Sequence, residues 1–196
     1  MKKSYVFKKG MDEKRDFKYV SSLITETHTQ FDFEEDCIVN RYNPEIKGDW
    51  KYDYISMVTK EKYGDGVKLT TKCRFEHYGA PLIVFTDDIK EENGRNYYGL
   101  HFEVVAFDEG FNVWHIIPSD ENPDLPIKVT LIATGRFPVA DNSLIELEVQ
   151  IKNKTIYVNM NGHTQSVYNA DIPEKMHVGV TACEGINRFY TLEIEE

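Results

Sequence analysis

The sequence predicts an all-β protein, an antiparallel sandwich of two sheets. Three observations carry that expectation. Turn signals recur along the chain, among them KYGDG, EENGR, FDEGF, KNK, MNGH and CEGINR. The segments between them are short and alternate apolar with polar residues, the period of a strand with one buried face. Helical periodicity is nearly absent, while aromatic residues reach 13%, a richness that favours strands because rings pack well on a pleated surface.

The elements follow in order. Near the N-terminus, MDEKRDFKYVSSL carries the one helical hint, a turn or two. In DWKYDYISMV, Trp50, Tyr52 and Tyr54 alternate onto one face. Such rings either pack inside or form a platform for the apolar side of a sugar ring. In the strand 67–77, Lys72, Arg74 and Glu76 share one face, and Cys73, Phe75 and His77 the other. Arg74 offers bidentate bonds to a carboxylate or to vicinal hydroxyls, or a surface pair with Glu76. Asp87-Asp88 and EENGR offer oxygen ligands to a structural calcium ion, without the dense D-x-D-x-D-G loop of a dedicated site. No other metal or cofactor is expected.

Residues 97–117 read as a hairpin. A three-residue loop, Asp108-Glu109-Gly110 with Gly110 left-handed, sets Phe107 opposite Phe111, Val105 opposite Val113, Glu103 opposite His115 and His101 opposite Ile117. His101, Glu103 and His115 then share one face. Phe102, Val104, Ala106, Asn112, Trp114 and Ile116 form the face expected in the core. A two-residue loop would break this grouping.

The C-terminal third reads most cleanly. Residues 144–152 and 155–161 form a hairpin around Asn153-Lys154. Its register puts Ile151 opposite Ile156, Val149 opposite Val158 and Leu147 opposite Met160, all on one face, and a one-residue slip would scramble it. Val178, Val180 and Ala182 in MHVGVTA, and Tyr190, Leu192 and Ile194 in RFYTLEI, continue the pattern. Val149, Ile151, Ile156, Val158, Val180 and Leu192 are the expected core.

This order, IELEVQIKNKTIYVNMNG, NADIP, MHVGVTACEG, NRFYTLEI, resembles the end of concanavalin A-like lectin/glucanase domains over about the last 55 residues. The resemblance implies a jelly roll of two stacked, curved antiparallel sheets, with ligands on the concave face or the loop rim. Laminarinase-like members carry two or three acids at alternate positions of one strand. Here His101-Phe102-Glu103-Val104-Val105 has only one acid, a departure from that pattern.

Three chemistries suit the cluster of His101, Glu103 and His115. Carboxylate and imidazole together supply the acceptors and donors that sugar hydroxyls need. Glu103 would serve as a general acid or base if a second carboxylate, such as Glu76, stood roughly 5–10 Å away. Two imidazoles and a carboxylate also suit a metal ion. Against these stands a polar patch satisfied by its neighbours. The expected function is therefore a lectin-like, carbohydrate-binding domain, with His101, Glu103, His115, Arg74, Trp50 and Tyr52 as contacts. The alternatives are a glycoside hydrolase using Glu103 with Glu76, or a structural interaction domain.

Length and composition bound the rest. A chain of 196 residues fits a single domain spanning 1–196. The net charge of −10 argues against a nucleic-acid partner. No window of about 18 apolar residues suggests a membrane span, and MKKSYVFKKG has no apolar core of a signal peptide. Cys37, Cys73 and Cys183 are odd in number and widely spaced, which points to free thiols and a cytoplasmic location. Nothing in the sequence sets an oligomeric state.

Overall fold

A computed structural model describes residues 2–23, 30–40, 54–122 and 125–196. The chain begins with β1 (Lys2–Val6), a short helix α1 (Glu13–Asp16), β2 (Phe17–Val20), β3 (Asp32–Phe33), β4 (Ile38–Val39) and β5 (Tyr54–Thr59). Next come β6 (Lys68–Glu76), β7 (Ala80–Thr86), β8 (Ile89–Glu92), β9 (Arg95–Tyr98), β10 (His101–Phe107) and β11 (Gly110–Pro118). The last strands are β12 (Ile127–Arg136), β13 (Ile145–Lys152), β14 (Thr155–Met160), β15 (His163–Tyr168), β16 (His177–Cys183) and β17 (Ile186–Glu195). The helical hint at residues 11–23 shrinks to four residues, because Phe17 and Val20 turn extended and bury against β5. Among the described residues no helix is long and apolar enough to cross a membrane.

Besides the separate two-stranded ribbon of β8 and β9, the strands form two large antiparallel sheets. One runs β15-β14-β13-β6-β17-β4-β3, with β1 also on β17, and the other runs β12-β11-β10-β7-β16-β5-β2. Between them lies one core, to which β6 gives Leu69, Cys73 and Phe75, and β10 gives Phe102, Val104 and Ala106. All six core residues expected from the sequence are buried there. The β13–β14 hairpin keeps the expected register, from Lys152 opposite Thr155 to Leu147 opposite Met160. Asn153 and Lys154 make its turn at φ +52° and +57°, the primed geometry that matches strand twist.

The β10–β11 hairpin corrects the expected register. Its loop holds two residues, Asp108 and Glu109, and Gly110 is the first paired residue, opposite Phe107. Gly110 takes left-handed backbone, φ +118°, as anticipated, but inside the ladder. A Cβ there would lie 2.2 Å from the Gly135 carbonyl oxygen, so only glycine lets β12 approach this closely. Every pair beyond it shifts by one. Glu103 faces Trp114 and Phe102 faces His115. Asn112, Trp114 and Ile116 thus leave the core for the outer face, and His115 turns inward.

Candidate functional site

The outer face of the β10 sheet carries the site. From β10 it presents His101, Glu103, Val105 and Phe107, and from β11 Asn112, Trp114 and Ile116. These line a cavity of about 1100 Å³. Further walls come from Leu125, Ile127 and Val129 on one side and from the β6–β7 turn on the other. In β12 the register slips opposite Val113/Trp114, a bulge of the kind that re-aims side chains beside a site.

Glu103 is the buried centre, only 7% exposed. Tyr54, on β5, reaches across β16 and β7 and donates its O–H to Glu103 Oε1 at 2.7 Å. Burial, together with the neighbouring carboxylate, pushes the Tyr54 phenol well above its ordinary value, so it stays a donor. His101 Nε2 lies 3.6 Å from the same Oε1. Its Nδ1–H donates to the Gly99 carbonyl at 2.8 Å, which fixes the ring. Tyr98 stacks on that ring at 4.6 Å, and its hydroxyl shares a chain with Ser56 and Thr181 at 2.5 and 2.6 Å. The Tyr54 hydroxyl thus gives the buried Glu103 side chain one hydrogen-bonded oxygen, as a buried polar group needs.

The rim is aromatic and acidic. In the turn between β6 and β7, His77 and Tyr78 sit at φ +54° and +62°, and the Gly79 N–H donates to Glu76 O at 3.1 Å. Tyr78 is 86% exposed, a bare ring at the cavity edge. Asp108, Glu121, Asp141 and Glu184 stand around the opening with Lys128. Desolvation raises the Glu184 carboxyl above its ordinary value even though its side chain reaches solvent.

The sequence-derived candidates separate. His101 and Glu103 come together as expected. His115 does not join them: it stacks on Phe102 in the core at 4.7 Å, with Nε2 3.6 Å from Asp171, because the hairpin register is one residue shorter. Glu76 is not brought to Glu103. It points out of the other sheet and pairs with Arg188, since Cys73 and Phe75 claim the inner face of β6. Arg74 shares that outer face, 5.8 Å from the Tyr190 ring. Trp50 and Tyr52 lie outside the described residues. Asp88 accepts the Leu100 N–H at 3.3 Å, and Asn93 and Gly94 form the tip of the β8–β9 hairpin. Among the described residues no three His, Cys, Asp or Glu side chains converge as a metal set. Trp114, Asn112, Tyr78 and the reach of Tyr54 escaped the sequence reading. Asn112 was the available signal, because the assumed register sank an amide between the sheets.

Two facing antiparallel sheets in this strand order, with a cavity on the outer face of one of them, define a concanavalin A-like β-sandwich. Solved structures with the same fold include β-agarase A in complex with oligoagarose, at TM-score 0.65 and 10% identity over 91% of this chain and 82% of that one. The carbohydrate-binding module CBM66 from Bacillus subtilis matches at 0.60 and 9% identity over 87% and 96%. The legume lectin-like domain from Entamoeba histolytica matches at 0.58 and 15% identity over 98% and 96%. No protein-family model matches the chain, and no curated protein matches it in sequence. At these identities the likeness is one of fold.

Proposed function

We propose that this protein is a carbohydrate-binding, lectin-like domain whose ligand occupies the cavity over β10 and β11. One observation carries the reading: a partly buried Trp114 stands opposite a buried, hydrogen-bonded Glu103 on one cavity wall. An indole face stacks on the apolar side of a sugar ring, while carboxylate and imidazole take its hydroxyls. That pairing of a few fixed polar groups with an apolar wall is what a small-ligand pocket needs. The fold's other members named above include a carbohydrate-binding module, a lectin-like domain and an agarase, which makes saccharide the natural ligand class.

Hydrolysis is the second reading. It asks for two carboxylates flanking a bond. β10 offers Glu103 alone, Glu76 is held by Arg188 on the other sheet, and the remaining acids on the cavity, Asp108, Glu121, Asp141 and Glu184, are exposed at its rim while Glu103 is buried. Binding without turnover is therefore the expected outcome. A glycan array run beside a panel of chromogenic glycosides tests it. Array binding that Trp114→Ala abolishes, with no glycoside cleaved, supports a lectin-like domain. Turnover that Glu103→Gln removes would replace it with an enzyme, and neither binding nor turnover would leave a structural domain.

A further inference from the structure

The cavity's charge and hydrogen-bonding sense narrow the ligand. Resting on the lectin-like reading, we propose that the saccharide bound here is cationic, an amino sugar with a free protonated amine, and that Glu103 is the seat of its ammonium group.

The first argument is the direction of the hydrogen bonds on the cavity floor. Tyr54 already gives its proton to Glu103, and His101 already gives its Nδ1–H to Gly99. The contacts of Glu103 with Tyr54 and His101 both use Oε1, which leaves Oε2 as a carboxylate oxygen for an occupant. Asn112, on the cavity wall, leaves its amide oxygen without a partner. The floor therefore presents two acceptor oxygens, Glu103 Oε2 and Asn112 Oδ1, while the Tyr54 O–H and the His101 Nδ1–H are already committed. A hydroxyl both donates and accepts, whereas an ammonium group brings three donors and no acceptor. Such a group matches this floor better than a neutral ring does, and its bond to a carboxylate is charge-assisted.

The second argument is the field at the mouth. Asp108, Glu121, Asp141 and Glu184 have no ion-pair partner among the described residues, and Lys128 is the one lysine on the lining. The chain as a whole carries −10. A cleft lined by one sign of charge concentrates ligands of the other. An anionic saccharide would meet this field and then a buried carboxylate.

Three tetrasaccharides with one backbone and different groups at C2 separate the possibilities: the β-1,4 tetramer of glucosamine, its fully N-acetylated form, and cellotetraose. Calorimetry on the full chain at low salt is expected to give affinity for the amine at least about tenfold above the other two, shrinking several-fold at about 0.5 M salt as screening sets in. Glu103→Gln is expected to erase the preference. Because Glu103 is buried, the surface double variant Asp108→Asn with Asp141→Asn is a second check: it should fold as the parent does and flatten the salt dependence. Equal affinity for all three tetramers, or preference for the neutral ones, overturns the inference and leaves the lectin-like reading standing. Absence of binding by any saccharide, here and on the array, removes both.

Discussion

The two outer faces of the sandwich handle acid side chains in opposite ways. On the β6 and β17 side, Glu193 and Glu195 meet Lys2 at 2.9 and 3.0 Å, Glu148 meets Lys68 at 3.4 Å, and Glu76 meets Arg188. On the β10 side, Glu103 is buried under Tyr54, and the rim acids stand without described ion pairs. The first face neutralises itself within the chain. The second leaves charge and aromatic surface for something else. Both belong to strands of the same class and share one core, so the contrast arises from outward residues, which folding leaves free to vary.

Four expected outcomes break or sharpen that contrast. Gly179 is on β16, where an added Cβ would stand 2.0 Å from the Met57 carbonyl oxygen. Gly179→Ala should destabilise the sheet beneath the cavity by about 3 kcal/mol or more, as overpacking against backbone does. A denaturant midpoint like the parent's would show that this sheet yields where the geometry says it cannot.

Glu103→Ala removes the acceptor at 2.7 Å from the buried Tyr54 hydroxyl and should cost about 2 kcal/mol. Glu103→Gln keeps an acceptor for Tyr54 and should cost less in the same urea titration. Equal losses would mean that the hydrogen bond does not hold the floor together.

Acid should weaken the protein through two desolvated imidazoles, His115 turned toward the core and His177 on the outer face beside Lys18. Desolvation pushes His115 and His177 below the ordinary 6.5; Asp171 opposes the shift at His115, while Lys18 and Lys62 reinforce it at His177. The folded chain then binds fewer protons than the unfolded one. Stability from these groups is complete above about 6.5 and is lost as pH falls through the lowered native values. The melting temperature should drop between pH 7 and 5, and His177→Gln should flatten that slope. An unchanged slope in the variant assigns the loss elsewhere.

The smallest effect belongs to the self-paired face. Lys68→Ala removes contacts with Glu148 and Glu195 at 3.4 and 3.6 Å, yet exposed pairs contribute under about 1 kcal/mol. A larger loss in urea would show that this face is a structural network and not a solvated surface.

Legibility in the sequence followed the same division. The β13–β14 hairpin could be read because one face is wholly apolar and the other carries Glu146, Glu148 and Asn159, so only one register sorts both. The β10–β11 hairpin could not be read to the residue. Its faces are both largely apolar, since one packs in the core and the other lines a cavity, and hydrophobic pattern alone does not distinguish them. Glu103 and His101 were found because they lie on one strand two residues apart. Their partners were missed because Tyr54 comes from three strands away in the sheet. Alternation within a strand carries no information about such reach.

Tyr98 has a consequence of its own. It is 2% exposed, seated on Leu82, Val84 and Val58 and bonded to Ser56, so the β8–β9 hairpin caps the outer face at one end. The sheet behind it is seven strands wide, and this ring covers the part of its outer face formed by Leu82, Val84 and Val58. An occupant reaching from His101 onto that part of the sheet would have to displace a side chain that Ser56 holds by a hydrogen bond.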